Sequence, residues 1–291
     1  MTKISEILRK HNLSTIRIEK IKKVTIIDTG EKKYVFKKGN INNEILEYLK
    51  SRNFDYMPTI VENNEYQITK YIKGLNIPKE QKIIDLIKLT ALLHSKTTHY
   101  KEINLDYYEE IYNDLDNNLN YLYTYYTDLI TIIESKIYPS PSEQLLERNI
   151  SKIYDTISNS KERLSKWHNL IKNKTKERKV VIHGNLHLDH FIRNENSYLI
   201  SWDKSRIDSP VFDLYKLYKN HALDFDFKPL LKIYENTYPL TEDEKELFYI
   251  LISQIEPIKQ SKKEYEKCKN ISCILDTIYK TEKLILPETS K

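Results

Sequence analysis

The chain has 291 residues, of which 40% are hydrophobic and 31% are charged. A chain of this length and composition can bury a substantial core, which excludes global disorder. Its 4 glycines and 9 prolines exclude collagen-like and linker classes and argue against a nucleotide site built on a multi-glycine loop. The net charge of +5 is small for this length and comes without a dense lysine block, so we expect no nucleic-acid partner.

The two cysteines, Cys268 and Cys273, are too few to stabilise a chain of this size through disulfides, so we expect a cytoplasmic protein. Their C-x-x-x-x-C spacing lacks the further ligands that a structural zinc site requires. Charged residues interrupt every apolar stretch of residues 1–13, and no run of about 18 apolar residues follows. We therefore expect neither a signal peptide nor a membrane partner.

The first part of the chain predicts β-strands interrupted by a helix. Between Thr15 and Lys38, β-branched residues recur with a period of two, and the Asp-Thr-Gly sequence ending at Gly30 predicts a turn between two strands. In chain order, the predicted elements are a helix at 3–11, strands within 15–38, a helix at 42–52, and short strands at 59–61 and 66–71.

After Gly74 the chain is predicted to be mostly helical. Capping boxes that begin at Ser140 and Thr241 mark two helix starts. The predicted helices cover residues 79–96, 106–136, about 140–172 and 241–251. Residues 179–218, which we call the island, interrupt this helical pattern with short apolar strands and a polar, histidine-rich loop. A break of this kind usually displays functional groups.

Two strand ends of the island present polar residues. The predicted strand at 180–182 is followed by His-Gly-Asn at 183–185, and the strand at 198–201 leads into Ser-Trp-Asp at 201–203. Neighbouring strand ends that both carry polar side chains are a common layout for catalytic or metal-binding sites.

The string HGNLHLDH at residues 183–190, together with the order of elements, resembles the aminoglycoside phosphotransferase and choline kinase superfamily. The signature of that superfamily is H-G-D-x-H-x-x-N, a strand ending in I-D-W or I-D-F, and then D-P-x-x-D-L. This chain has Ile-Ser-Trp at 200–202 and Ser-Pro-Val-Phe-Asp-Leu at 209–214. The segment YPLTEDEKEL at 238–247 resembles the spore-coat-protein-S-like branch.

The resemblance implies an α+β, two-lobed protein-kinase-like fold. Residues 1–72 would form a small antiparallel-sheet lobe for the nucleotide, and residues 73–291 a mostly helical lobe that carries the island.

The resemblance also implies a nucleotide site in the first lobe. Lys37 is similar to the lysine that contacts the nucleotide phosphates, and Glu44 to its ion-pair partner on the next helix. Lys33 and Lys38 remain alternatives for the lysine, since a shift of one residue in a strand reverses the face. Glu47 is the alternative for the glutamate.

Three positions of the signature carry a different residue here. Asn185 replaces the aspartate that accepts or orients the substrate hydroxyl proton, and an amide cannot act as a base at neutral pH. His190 and Ser201 replace the two residues that hold magnesium ions, and imidazole is a poor ligand for magnesium. Asp189 and Asp203, which lie close to these positions, are the alternative sources of metal oxygens.

Other island residues have mainly structural interpretations. His183 belongs to the catalytic motif, where its ring is expected to fix the loop, and Asp213 is expected to anchor that loop from the start of a helix. Trp202 is expected to pack in the core rather than against a ligand. His187 and His190 lack a third ligand for a transition metal. The tyrosines of residues 107–126 favour helix packing, with an acceptor cleft as the alternative.

The sequence therefore predicts an aminoglycoside-phosphotransferase-like pseudokinase with a non-catalytic binding or assembly role. It would bind ATP or ADP weakly, with little reason to expect magnesium, and its partner would be an unidentified protein or small molecule. The alternatives are an active ATP-dependent phosphotransferase that uses a rearranged site on a small-molecule hydroxyl, and a spore-coat-type structural protein.

Overall fold

An antiparallel sheet and a set of long helices make up the computed structural model, and the predicted α+β class is confirmed. The structure describes residues 15–21, 24–259 and 261–286. The helix predicted at 3–11 lies outside the described residues.

Contacts between residues divide the chain into two compact units. Unit 1 is Met1–Thr98 with Val180–Asp208, and unit 2 is His99–Lys179 with Ser209–Lys291. The predicted boundary at residue 72 leaves the helix at 79–96 and the island in the second domain, whereas this division groups that helix and most of the island with the sheet.

The sheet of unit 1 has five antiparallel strands in the order β1-β2-β3-β5-β4. They are β1 (Arg17–Ile21), β2 (Val24–Asp28), β3 (Lys33–Lys38), β4 (Ile60–Asn63) and β5 (Tyr66–Lys70). The predicted turn between β2 and β3 is present: Gly30 has a φ of 87°, and its N–H donates to the Asp28 carboxylate at 2.9 Å. Glycine adopts this left-handed conformation without the steric cost of a side chain.

Alternation along β3 places Lys37 and the sheet core on opposite faces. The core side chains are fully or almost fully buried: Ile27, Tyr34, Phe36 and Ile68. Lys37 lies with half-buried Val35 on the other face, in register with Val24 of β2 and Gln67 of β5. The lysine therefore lies on a face that the core does not use.

Two helices and the first part of the island complete unit 1. Helix α1 (Asn43–Ser51) begins where the Asn42 side chain accepts from the Glu44 N–H, and helix α2 (Lys79–Thr97) packs against the island strands. The island contains the end of β7 (Lys176–Ile182), the hairpin of β8 (Phe191–Arg193) and β9 (Ser197–Leu199), and β10 (Arg206–Asp208), which pairs antiparallel with the last three residues of β7.

Unit 2 is mostly helical. Its helices are α3 (Leu105–Glu134), α4 (Pro141–Lys172), α5 (Val211–His221), α6 (Phe227–Thr237), α7 (Glu242–Ile252) and α8 (Glu264–Ile285), and the short strand β6 (His99–Glu102) pairs with the first four residues of β7. Both predicted capping boxes are present, at Ser140 and Thr241. Among the described residues, no helix combines the length and the apolar character needed to cross a membrane.

The tyrosines of helix α3 divide between its buried and exposed faces. Tyr108 is buried and donates to the Glu177 carboxylate at 2.6 Å, and buried Tyr126 donates to the Glu256 carbonyl at 2.8 Å. Tyr121 and Tyr123 are exposed. This division is what packing of one helix face against a core produces.

Candidate functional site

The end of β7 and the end of β9 are joined through a buried histidine. The last residues of β7, Val180–Ile182, are fully buried and β-branched, so they hold the strand in the core. His183 follows them and is itself fully buried; its Nε2–H donates to the Ile200 carbonyl at 2.8 Å. Its ring meets the Trp202 ring edge-on at 4.9 Å. His183 thus fixes the relative position of the two loops that carry the motif residues.

At Gly184 the backbones of these two loops are in close contact. Gly184 has a φ of +73°, and a Cβ placed there would lie 2.2 Å from the Lys204 carbonyl oxygen. No real side chain tolerates that distance from a backbone atom. A glycine is required at this position because the two loop backbones are in contact.

Asn185 and His190 are connected through the backbone. His190 closes a 3₁₀ turn (Leu188–His190), and its Nδ1–H donates to the Asn185 carbonyl at 2.8 Å. The imidazole therefore supports the loop that carries Asn185. Sequence reasoning treated His190 as a replaced metal ligand and missed this contact, for which the sequence gives no local signal.

Ser201 has a left-handed backbone, with φ 66° and ψ 53°. Such a conformation is costly for a residue other than glycine and persists where the surroundings determine it. Here the next residue, Trp202, is 1% exposed; its Nε1–H donates to the Leu199 carbonyl at 2.8 Å and its ring packs against Phe54. Trp202 is a core residue, and its burial holds the strained turn.

Lys37 forms an ion pair with Asp203 of the island. Asp203 lies in the 3₁₀ turn Trp202–Lys204, and both side chains are mostly covered, with 23% of Lys37 and 33% of Asp203 exposed. Glu44 is exposed in the first turn of α1, and the described residues contain no ion pair between it and Lys37. The island and the strand that carries the lysine therefore meet in unit 1, through a partner that the sequence did not predict.

Three solved structures are similar to this chain over almost its whole length. An aminoglycoside phosphotransferase from Alicyclobacillus acidocaldarius gives a TM-score of 0.67 at 9% identity, covering 94% of this chain and 91% of that one. A spectinomycin phosphotransferase bound to AMP gives 0.53 at 14% identity, with 98% and 95% covered. The choline kinase LicA from Streptococcus pneumoniae gives 0.51 at 17% identity, with 96% and 90% covered.

The chain has the fold of these kinases. The predicted protein-kinase-like fold is thereby confirmed. The sequence itself matches no model of a known protein family and no curated protein. This similarity shows the fold alone, and the chemistry depends on the residues at the motif positions.

The carboxylate of Asp203 is ionised at neutral pH in this kinase-like fold. Burial alone would raise its pKa, but the hydrogen bond from Lys37 and the positive charge of that lysine outweigh burial and lower the pKa below its ordinary value. The pair therefore carries one positive and one negative charge side by side.

The donor set does not match that of a magnesium-dependent kinase. Magnesium prefers several oxygen ligands, and His190 and Ser201 stand where the signature supplies them. Asp189 is exposed and lies 3.6 Å from the His187 ring nitrogen, while Asp203 is paired with Lys37. The described residues contain no group of three or more His, Cys, Asp or Glu side chains that could hold a metal ion.

Asp213 lies in unit 2, in the first turn of helix α5. Its side chain is completely buried. The negative charge near the N-terminus of the helix is favourable for the helix dipole, so its position agrees with a structural role. Its predicted role as the anchor of the motif loop stays a prediction.

Proposed function

We propose that this protein is a pseudokinase that binds adenine nucleotides weakly and transfers no phosphoryl group. The observation that carries the proposal is the contact between Asn185 and His190. The residue that replaces the proton acceptor has its carbonyl held by the residue that replaces a magnesium ligand. The residues at two catalytic positions thus stabilise the conformation of the loop. Phosphoryl transfer depends on positioning and on neutralisation of charge; at these two positions the Asn185 amide cannot act as a base, and the His190 imidazole supplies no oxygen to a metal.

Nucleotide binding is supported by the face of the sheet that carries Lys37. Val24 and Val35 are half-buried beside the lysine on this face, and Thr69 of β5 pairs with Val35. An apolar surface next to one ammonium group suits a base and a phosphate. Spectinomycin phosphotransferases of the same fold have been solved with AMP and with ADP, which favours adenine nucleotides as the first ligands to test.

A second candidate function is phosphoryl transfer to a small-molecule hydroxyl. One observation favours it: Asp203 places a carboxylate beside Lys37, where it could hold a metal ion near a nucleotide phosphate. A rearranged active site would need this aspartate to leave the lysine and bind the metal.

Calorimetric titration and a transfer assay distinguish the two functions. The wild type is titrated with ADP and ATP in EDTA and then with magnesium, and phosphoryl transfer to spectinomycin, choline and water is measured. We expect binding that persists in EDTA, that is lost in Lys37→Ala, and that is accompanied by no turnover. Turnover that Lys37→Ala abolishes would reject the pseudokinase and support the active enzyme.

A further inference from the structure

The Asp203 carboxylate lies beside the Lys37 ammonium, the group that would contact a ligand phosphate under the proposed function. Among the described residues, this carboxylate is the sole hydrogen-bond and ion-pair partner of the Lys37 ammonium. The two residues are 166 positions apart, so the pair is a tertiary contact between β3 and the island. A phosphate that binds this ammonium must share it with the carboxylate or displace the carboxylate.

The turn that carries Asp203 is firmly held. Trp202 is buried and hydrogen-bonded to Leu199, the Ser205 hydroxyl donates to the Trp202 carbonyl at 2.7 Å, and the Lys204 carbonyl lies against Gly184. Moving the backbone of Asp203 away from the lysine would expose the tryptophan, which is unfavourable. The turn is thus a fixed part of the site and keeps the carboxylate within reach of Lys37.

The charges on this face of β3 are already neutralised. Lys33 and Lys37 lie on the same face, and each is paired with an aspartate: Lys33 with Asp28 at 3.0 Å and Lys37 with Asp203. A nucleoside diphosphate without metal would bring further negative charge next to Asp203, and like charges at short range repel. A nucleoside has no phosphate and does not meet this repulsion.

We propose that Asp203 is a specificity-determining residue that competes with ligand phosphates for Lys37, so that the site prefers an uncharged nucleoside to a metal-free nucleoside diphosphate. The inference rests on the proposed nucleotide-binding function and names the ligand class that the site favours.

The test compares adenosine and ADP as ligands of Asp203→Asn in EDTA. We expect ADP to bind about fivefold more tightly than to the wild type, and adenosine to bind with unchanged affinity. Asp28→Asn is the matched control, since it breaks an aspartate–lysine pair on the same face and leaves Lys37 paired; its ADP affinity should equal that of the wild type. Asp203→Ala is a second variant, and thermal unfolding confirms that each variant is folded.

The outcomes separate the two proposals. If the wild type binds ADP and both Asp203 variants bind it with the same affinity, Asp203 does not compete with the phosphates. The proposed nucleotide site would then remain. In a parallel titration with magnesium, loss of magnesium-dependent ADP binding in Asp203→Asn would make Asp203 a metal ligand and also overturn the competition. If neither ligand binds to any of the proteins, the proposed nucleotide-binding function fails, and this inference with it.

Discussion

The imidazole of His190 donates a hydrogen bond to the carbonyl oxygen of Asn185 across 2.8 Å. Both residues lie in the string that resembles the kinase signature, and here they stabilise one loop together. The contact uses the backbone of Asn185, so it tolerates any residue at position 185 but requires a donor at position 190. The loss of this contact can therefore be measured.

His190→Phe, which keeps an aromatic ring but has no donor, should lower the free energy of unfolding by about 1 kcal/mol, because a partly buried hydrogen bond is lost. Urea unfolding measures the change. Asn185→Ala is the control, since it keeps the backbone acceptor and should change stability by less than about 0.5 kcal/mol. Equal losses in the two variants would show that the Asn185 side chain, and not the imidazole contact, stabilises the loop.

Gly184→Ala should be severely destabilising. The new Cβ would lie 2.2 Å from the Lys204 carbonyl oxygen, and the backbone has a positive φ, so the loops must separate at a cost above about 2 kcal/mol. Gly39→Ala is the matched control: Gly39 also has a positive φ, but nothing lies within 4 Å of its Cβ position. It should cost about 1 kcal/mol from backbone strain alone. Similar melting temperatures for the two variants would refute the close contact of the loops.

Local sequence signals predicted the secondary structure well. The helix expected at 42–52 is α1 at Asn43–Ser51, and the one expected at 106–136 is α3 at Leu105–Glu134. Both capping boxes and the turn at Gly30 are where the sequence placed them. Each of these features depends on residues within a few positions of one another, so it can be predicted from a single sequence.

Contacts between distant segments could not be predicted in the same way. Lys37 was expected to pair with nearby Glu44, but it pairs with Asp203, 166 residues away. Strand β6 was missed because its sequence, His-Tyr-Lys-Glu, has no apolar alternation and its pairing with β7 defines it. The motif residues were identified because they lie in one short string, whereas their partners depend on the fold.

The stability contributed by Glu264 should depend on pH. Hydrogen bonds from the hydroxyl and backbone N–H of Ser142, at the start of helix α4, lower the pKa of Glu264 to about 2. A carboxylate whose pKa is lowered by folding stabilises the protein above its ordinary pKa near 4.5, and this contribution is lost as the pH falls towards 2.

Glu264→Gln should therefore reduce the free energy of unfolding most at pH 7 and progressively less below pH 4.5. Urea titrations at pH 7, 4 and 3 measure the difference from the wild type. Glu266→Gln, which removes a charge from the same helix end but contacts the Ser261 hydroxyl, is the control and should have a smaller effect at pH 7. A difference that grows as the pH falls would contradict the assigned hydrogen bonds.

Restoring the signature should restore chemistry. The triple variant Asn185→Asp, His190→Asn, Ser201→Asp supplies a base and two oxygen ligands for magnesium. The left-handed backbone at Ser201 suits the change, because aspartate adopts that region more readily than most residues. We expect magnesium-dependent ATP hydrolysis at least about tenfold above the wild type, measured by phosphate release.

The controls for the triple variant follow from how the catalytic groups cooperate. Asn185→Asp alone should gain nothing, because a base without metal ligands leaves the phosphate charge unneutralised and such groups act as a unit. Adding Lys37→Ala to the triple variant should abolish the gain if the activity arises at the site on β3. Since His190→Asn also replaces the donor to the Asn185 carbonyl, thermal unfolding is measured first. A folded triple variant that binds ATP with magnesium and still releases no phosphate would show that the loss of activity lies beyond these three positions.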